Sequence, residues 1–272
     1  MDPHLSDIYA SPGKQLQLVI QELFPMGLSD RSFITKIDNG LFTNGRLTDL
    51  IYSGAINYVV RRLICTGEYL RRKFDVEMGS NTLFVQKLRS FVYSELDIPK
   101  NRMERLISLI YLCVEERART ITQVRKQRLL SAAHSKGWRC FFCGTSLEFV
   151  RKGQPNSATV DHLWPRAMGG KSESPNLVVA CMSCNQAKAD YVDASDYHFE
   201  EMCLVTDKGD DQFEADFKRQ YRMAILTSSN YRCATCEVPA SYVGELTFSR
   251  LEEDDIWHFL NVGVYCGEHD PN

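Results

Sequence analysis

Hydrophobic positions recur with a helical period through most of the first half of the chain. Residues 15–24, QLQLVIQELF, form a short amphipathic stretch. Apolar residues are spaced three or four positions apart in 52–74 and again in 80–96, as on one face of a helix. Asn-Gly pairs at 39–45, NGLFTNG, predict turns. These patterns predict amphipathic helices separated by turns.

The next segment, 98–137, has an apolar-striped first half and a basic second half. It predicts one long helix or two joined helices, with Gly137 as the residue that ends the helical conformation. We therefore predict an all-helical domain over residues 1–134, suited to targeting, dimerisation or docking of a partner.

A different pattern follows in residues 135–192. SATVDH at 157–162 predicts a strand that ends on an Asp-His pair, and MGGKSESPNLVVAC at 168–181 predicts a Gly-Gly turn, a loop and a second strand. CMSCNQAKADY then predicts the start of a short helix. The predicted fold class is mainly α with a small α+β domain at 135–192, followed by a third region, 193–272.

The composition is that of an ordinary globular protein, with 44% hydrophobic and 25% charged residues among 272. No apolar run reaches the roughly 18 residues of a membrane-spanning helix, and the first residues do not resemble a signal peptide. We therefore expect a cytoplasmic protein without a membrane partner. The ten cysteines then need a role other than disulfides, and we interpret Cys65 and Cys113 as buried thiols on apolar helix faces.

Charge is distributed unevenly along the chain. Residues 1–116 hold 14 basic and 14 acidic residues, residues 117–188 hold 12 basic and three acidic ones, and residues 189–272 hold six basic and 18 acidic ones. A basic block of this kind is typical of a site for a polyanion such as DNA. The alternative is a solvated surface that pairs with the acidic region.

Two Cys-x-x-Cys pairs, Cys140/Cys143 and Cys181/Cys184, have the spacing of a tetrahedral structural zinc site. The interval between them contains the adjacent Asp161 and His162. Four buried thiols without a metal are the alternative. The ligand spacing in both pairs favours zinc.

Together these residues resemble the HNH endonucleases, the ββα-metal family. The shared pattern is Cys-x-x-Cys, Asp-His-x-x-Pro with a following Gly-Gly, Asn-Leu, and Cys-x-x-Cys-Asn-x-x-Lys, which residues 138–190 match throughout. The resemblance covers about a fifth of the chain and implies a small zinc-stabilised ββα-metal domain.

The resemblance implies a role for each polar residue of the pattern. His162 would activate water, as a neutral imidazole can near pH 7. Asp161 and Asn185 would hold a catalytic ion, and their oxygen donors favour Mg²⁺ or Mn²⁺ over softer metals. Asn176 would brace the loop between the strands. Members of the family with His at the last position use softer metals, which this chain's Asn185 argues against.

Basic residues around this segment are candidates for contacts with nucleic-acid phosphates, which give affinity without sequence information. They are Lys188, Arg166, Lys171, Arg139, Arg125, Lys126 and Arg128. Trp138 and Trp164 are interpreted as core residues of the small domain, with stacking on a base as the alternative.

A second quartet, Cys233, Cys236, Cys266 and His269, predicts another structural zinc site near the end of the chain. The interval between its two halves predicts a strand, a helix and a strand. Unrelated tail residues are the alternative, because the second half is not Cys-x-x-Cys. The chain would then bind one or two zinc ions.

The sequence thus predicts a metal-dependent HNH endonuclease acting on DNA. By resemblance it would be a bacterial restriction or anti-phage defence effector that works with an activating protein or as a homodimer. Two alternatives stay open: an inert HNH fold that binds nucleic acid or serves as a scaffold, and a nuclease that acts on structured RNA.

Overall fold

A computed structural model describes most of the chain, namely residues 11–26, 37, 46–74, 81–204 and 218–271. The turns predicted at 39–45 lie outside these residues. Within the described part, no helix is long and apolar enough to cross a membrane. Residue contacts divide the chain into two units, one with residues 1–120 and 162–176 and the other with residues 121–161 and 177–272.

In the residues that the structure describes, four long helices of the first unit bury their apolar stripes against one another. They are α1 (Pro12–Leu23), α2 (Arg46–Phe74), α3 (Asn81–Glu95) and α4 (Lys100–Ala118). Pro12 stands at the first turn of α1, where its missing N–H costs no hydrogen bond. Buried residues such as Val60 and Leu106 form the core between the helices. The helices predicted in this region are confirmed.

The basic half of segment 98–137 forms a separate helix, α5 (Gln123–Ser135). Helix α4 ends at Ala118, since Arg119 has an extended backbone. The Thr122 hydroxyl then caps α5 by accepting a hydrogen bond from the Arg125 N–H. Of the two arrangements that the sequence left open, two joined helices is the observed one.

The second unit contains the predicted strand, strand and helix. Strand β1 (Ala158–His162) pairs with β2 (Leu177–Cys181), and α6 (Met182–Lys188) follows directly. The residues of β2 are buried, and α5 packs against this strand. The mainly helical fold class with a small α+β element is therefore confirmed.

The C-terminal part of this unit differs from the prediction. It contains β3 (Cys203–Leu204), α7 (Arg219–Ser228), α8 (Ala240–Val243), β4 (Leu246–Arg250), β5 (Trp257–His258) and β6 (Val262–Cys266). Strands β4 and β6 are antiparallel, and β3 pairs with β5. The helix predicted between two strands is wrong. A turn, strand β5 and a single 3-10 turn at Phe259–Asn261 take its place. Asn261 holds the first turn by donating side-chain hydrogen bonds to the Glu252 and Ile256 carbonyls.

The two contact units do not follow the predicted limits of 1–134, 135–192 and 193–272, which stay predictions. Residues 162–176, from within the predicted small domain, belong to the helical unit. One buried thiol was also predicted wrongly. Cys113 is buried, whereas Cys65 is exposed on α2.

Candidate functional site

The first cysteine quartet forms a compact cluster in the second unit. The sulfurs of Cys140, Cys143, Cys181 and Cys184 all lie within 4.8 Å of one another, and two of them, Cys143 and Cys181, are 4.0 Å apart. Tetrahedral Zn–S bonds of about 2.3 Å separate the sulfurs by roughly 3.8 Å. Hydrogen bonds from the neighbouring thiols, led by Cys143, hold the pKa of Cys140 well below its usual range. The cluster could therefore hold a structural zinc ion.

The second quartet is also assembled. Cys233, Cys236, Cys266 and His269 place their ligand atoms within 4.8 Å of one another, with 3.2 Å between the Cys266 sulfur and His269 Nδ1. Burial raises the pKa of Cys233, but backbone N–H groups, first that of Cys236, outweigh it and lower the pKa to about 6. Three thiols and one imidazole are a common structural zinc set, and this group could hold a second ion.

Asp161 and Lys188 form an ion pair inside the second unit. Lys188 Nζ lies 3.7 Å from Asp161 Oδ2, with the side chains 2% and 12% exposed. Burial lowers the pKa of Lys188, and the Asp161 carboxylate opposes this shift. The ammonium also lies 5.9 Å from the Phe142 ring centre. The pair holds a carboxylate at the end of β1.

Asn185 lies in α6 and is tied to β1 through its amide nitrogen. This nitrogen donates to Thr159 Oγ1 at 3.0 Å and to the Val160 carbonyl at 3.5 Å. Thr159 in turn donates to the Ala180 carbonyl of β2. With its nitrogen directed at β1, Asn185 could offer a metal its amide oxygen.

His162, the last residue of β1, belongs by its contacts to the first unit. Its Nε2 lies 3.0 Å from the hydroxyl of Ser172, which is buried. The imidazole itself is half-buried. A hydroxyl partner of this kind restricts rotation of the ring, and the neutral imidazole is suited to accept a proton near pH 7.

Asn176 fixes the loop that connects the two strands. Its side chain, 2% exposed, accepts from the Trp164 N–H at 2.7 Å and donates to the carbonyls of Trp164 and Lys171, both at 2.9 Å. Its backbone carbonyl accepts from the Leu163 N–H. The Asn176 side chain thus joins Trp164, near the start of the loop, to Lys171 in its second half.

The helices of the first unit hold the same loop. Arg117 of α4 donates to the Ala167 carbonyl at 2.9 Å, and the Gly13 N–H of α1 donates to the Gly169 carbonyl at 3.3 Å. A Cβ on Gly13 would lie 1.6 Å from the Met168 oxygen, so the two backbones approach as only glycine permits. Trp164 is 4% exposed, so it is buried as predicted, but it lies in the core of the helical unit and not of the small domain.

The residues predicted to contact phosphate differ in their exposure. Lys188 is 1% exposed and is directed at Asp161, which differs from the predicted surface role. Arg166 and Lys171 are half-buried. The remaining four are exposed in the second unit, namely Arg125, Lys126 and Arg128 on α5 and Arg139 after it.

Ser172 and Thr159 were not singled out from the sequence, and Arg117 was expected only among the basic residues that line the long helix. Each acts through a tertiary contact with a residue of the motif or its loop. Only the position of Ser172, two residues after the Gly-Gly turn, hints at a place beside His162.

A family model described as HNH endonuclease matches residues 140–198. Comparison with curated proteins and with solved structures gives no match. The matched segment begins at the first residue of the first cysteine quartet and includes Asp161, His162, Asn176 and Asn185. Residues 140–198 are therefore similar to the HNH endonuclease family.

Proposed function

We propose that the chain is a metal-dependent endonuclease that hydrolyses phosphodiester bonds in DNA. One observation carries the proposal: the segment that matches the HNH family holds an imidazole next to a carboxylate at the end of β1. A base for water and oxygen ligands for a hard cation are the groups that phosphodiester hydrolysis requires.

His162 takes a proton from the attacking water in this proposal. The Ser172 hydroxyl orients the imidazole, and Asn176 fixes the backbone that follows it. Precise placement of such a base raises the rate of hydrolysis strongly, because the entropy cost of bringing the reacting atoms together is already met in the folded site.

Asp161 and Asn185 would hold Mg²⁺ or Mn²⁺ through a carboxylate and an amide oxygen, as hard cations prefer. When bound, such an ion neutralises charge at the scissile phosphate and the leaving oxygen. Lys188 holds the Asp161 carboxylate in place through their ion pair, so it is a positioning residue rather than a phosphate contact. The zinc ions would stabilise the scaffold, since a small ββα unit has little core of its own.

The exposed Arg125, Lys126, Arg128 and Arg139 would bind the phosphate backbone without reading its sequence. We propose a role in bacterial restriction or anti-phage defence, in the cytoplasm, with the helical region receiving an activating partner or a second copy. The substrate could also be structured RNA, and cleavage assays with both nucleic acids decide between them.

The test is cleavage of supercoiled plasmid by the full chain with Mg²⁺, Mn²⁺ or Ni²⁺. We expect cutting with Mg²⁺ or Mn²⁺, and a loss of at least about 100-fold in His162→Ala, as for removal of a general base. His198→Ala is the matched control, because that imidazole is exposed beside Glu200 and should leave cutting unchanged. Zinc content is measured in every variant.

Equal cutting by wild type and His162→Ala would contradict the assignment of the base. Binding of DNA without cutting under any metal would favour the inert scaffold.

A further inference from the structure

A second surface of the HNH-bearing unit has the chemistry of a binding site. It is an open pocket of about 330 Å³ whose lining includes His134, Trp138, Arg139, Leu147, Phe149 and Val150. We call it the Trp138 pocket. Its volume lies at the lower end of the range of small-ligand sites. None of these six residues has a catalytic role in the proposed function, in which Arg139 is a phosphate contact.

Trp138 is held rigidly but is not a core residue, contrary to its prediction. Helix α5 ends with Gly137 in the left-handed region (φ 61°), and the N–H groups of Gly137 and Trp138 donate to the carbonyls of His134 and Ala133. This pair of hydrogen bonds is the Schellman end of a helix. Although its backbone is fixed in this way, the indole stays 41% exposed.

Apolar and aromatic side chains line the pocket beside the polar Ser146 and Glu148. Val150 is 82% exposed, and the rings of His134 and Phe149 lie 4.8 Å apart. Exposed apolar side chains that line a concave surface are costly in water and indicate a planar, apolar ligand face.

Cationic side chains lie in the pocket and close to it in the sequence. Arg139 lines the pocket, and Lys136 Nζ lies 5.8 Å from the centre of the Trp138 ring. Arg151 and Lys152, which follow Val150 in the sequence, are exposed. The acidic group among the lining residues is Glu148, whose carboxylate accepts hydrogen bonds from the Val150 and Arg151 N–H groups. Aromatic rings with cations beside them match a nucleobase attached to its phosphate.

The pocket is connected to the strand that carries Asp161. Glu148 pairs with the segment before β1, since its carbonyl accepts from the Ala158 N–H at 2.8 Å. Asp161 follows three residues later, on the order of 10 Å along an extended strand. A nucleic-acid strand could therefore reach both places at once.

We propose that the Trp138 pocket binds an unpaired nucleobase of a nucleic-acid strand by stacking on the indole. The proposal rests on the proposed function only in taking nucleic acid as the ligand. Bases within a duplex are already stacked on their neighbours, so we expect a preference for single-stranded or frayed segments. This preference would direct the chain to substrates with unpaired bases.

Tryptophan fluorescence tests the proposal directly. The chain has three tryptophans, and the other two, Trp164 and Trp257, are 4% and 3% exposed, so acrylamide-accessible emission reports on Trp138. The titration uses full-length His162→Ala without chelator, so that zinc stays bound. We expect a short oligothymidylate to quench this emission and shield it from acrylamide, and a blunt duplex to do neither.

Trp138→Ala should weaken oligothymidylate binding, measured by anisotropy, about 5- to 100-fold. Trp138→Phe should keep most of the affinity, because a phenyl ring also stacks. Tyr242→Ala is the matched control, because that ring is 81% exposed elsewhere in the same unit, and its affinity should not change. Circular dichroism and zinc content establish that each variant is folded.

Equal affinity of Trp138→Ala and wild type would overturn the proposal, as would equal binding of duplex and single strand. Saturation by thymidine monophosphate at the same concentration as the oligonucleotide would also overturn it, and would indicate a mononucleotide site. Because the assay involves no cleavage, quenching by a chain that never cuts would support the pocket and contradict only the nuclease.

Discussion

The ammonium of Lys188 lies 3.7 Å from the Asp161 carboxylate, and the two side chains are only 2% and 12% exposed. Two opposite charges removed from water depend on each other, because each compensates the desolvation of the other. Lys188 was predicted to contact a phosphate of the nucleic acid. It instead forms an ion pair with a carboxylate of the protein itself. This relationship makes the pair a sensitive point for both folding and the proposed metal site.

Replacing Lys188 by Met should lower the free energy of unfolding by about 3 kcal/mol, since it leaves the Asp161 charge buried without its cation. The measurement is urea denaturation of the full chain. Lys152→Met, which removes an exposed ammonium of the same unit, should change it by less than about 0.5 kcal/mol.

Adding Asp161→Asn to Lys188→Met separates charge from packing. The double variant should lose less stability than the sum of the single ones, because neither charge then remains alone. Strict additivity would show that the two side chains do not depend on each other.

The two clusters of candidate zinc ligands could be predicted from the sequence because their information is local. Two residues separate each ligand pair, and a knuckle of that spacing presents both thiols to one ion. The strands and α6 followed from the same short segment. The family pattern therefore identified the four sulfurs of the first cluster, without any knowledge of the surrounding packing.

What the sequence could not supply is the environment of each side chain. Lys188 was expected at the surface but is buried. Trp138 was expected in the core but is exposed. Exposure depends on which elements cover a residue. The backbone hydrogen bond between Gly13 and Gly169 joins residues far apart in the chain, so no local sequence pattern predicts it.

Asn176→Ala should loosen the loop after His162 while the zinc clusters stay intact. It removes three side-chain hydrogen bonds, two to Trp164 and one to Lys171, and leaves the Trp164 N–H buried without an acceptor, at a cost of about 1–3 kcal/mol. Hydrogen exchange at Leu163 and Trp164 should become faster, and plasmid cleavage should fall about 100-fold because the base is misplaced.

Asn156→Ala is the control for this change, since Asn156 is exposed. Unchanged exchange at Trp164 in Asn176→Ala would mean that the loop is held by its helical contacts alone.

Gly13→Ala should destabilise the chain although alanine normally stabilises a helix relative to glycine by roughly 0.5–1 kcal/mol. The new Cβ would lie 1.6 Å from the Met168 oxygen and 2.5 Å from Trp164 Nε1, so the loop must move away from α1. Thermal unfolding at a lower temperature and weaker cleavage are both expected. Gly267→Ala, whose Cβ would meet nothing within 4 Å, should leave the melting temperature nearly unchanged, and an equal effect of the two changes would contradict the close approach.

Metal analysis separates the two cysteine clusters from each other and from an ordinary thiol. Purified wild type should contain two zinc ions per chain, whereas Cys181→Ser and Cys236→Ser should each lose one, because a serine hydroxyl is a poor ligand for zinc in a thiolate site. Cys203→Ser should keep both ions, since Cys203 is exposed and belongs to neither cluster.

Because binding of a structural ion contributes folding free energy, Cys181→Ser should also lose order in β2 and α6. Loss of both ions in Cys236→Ser would mean that the clusters fold as one cooperative unit, and retention of both would refute the second site.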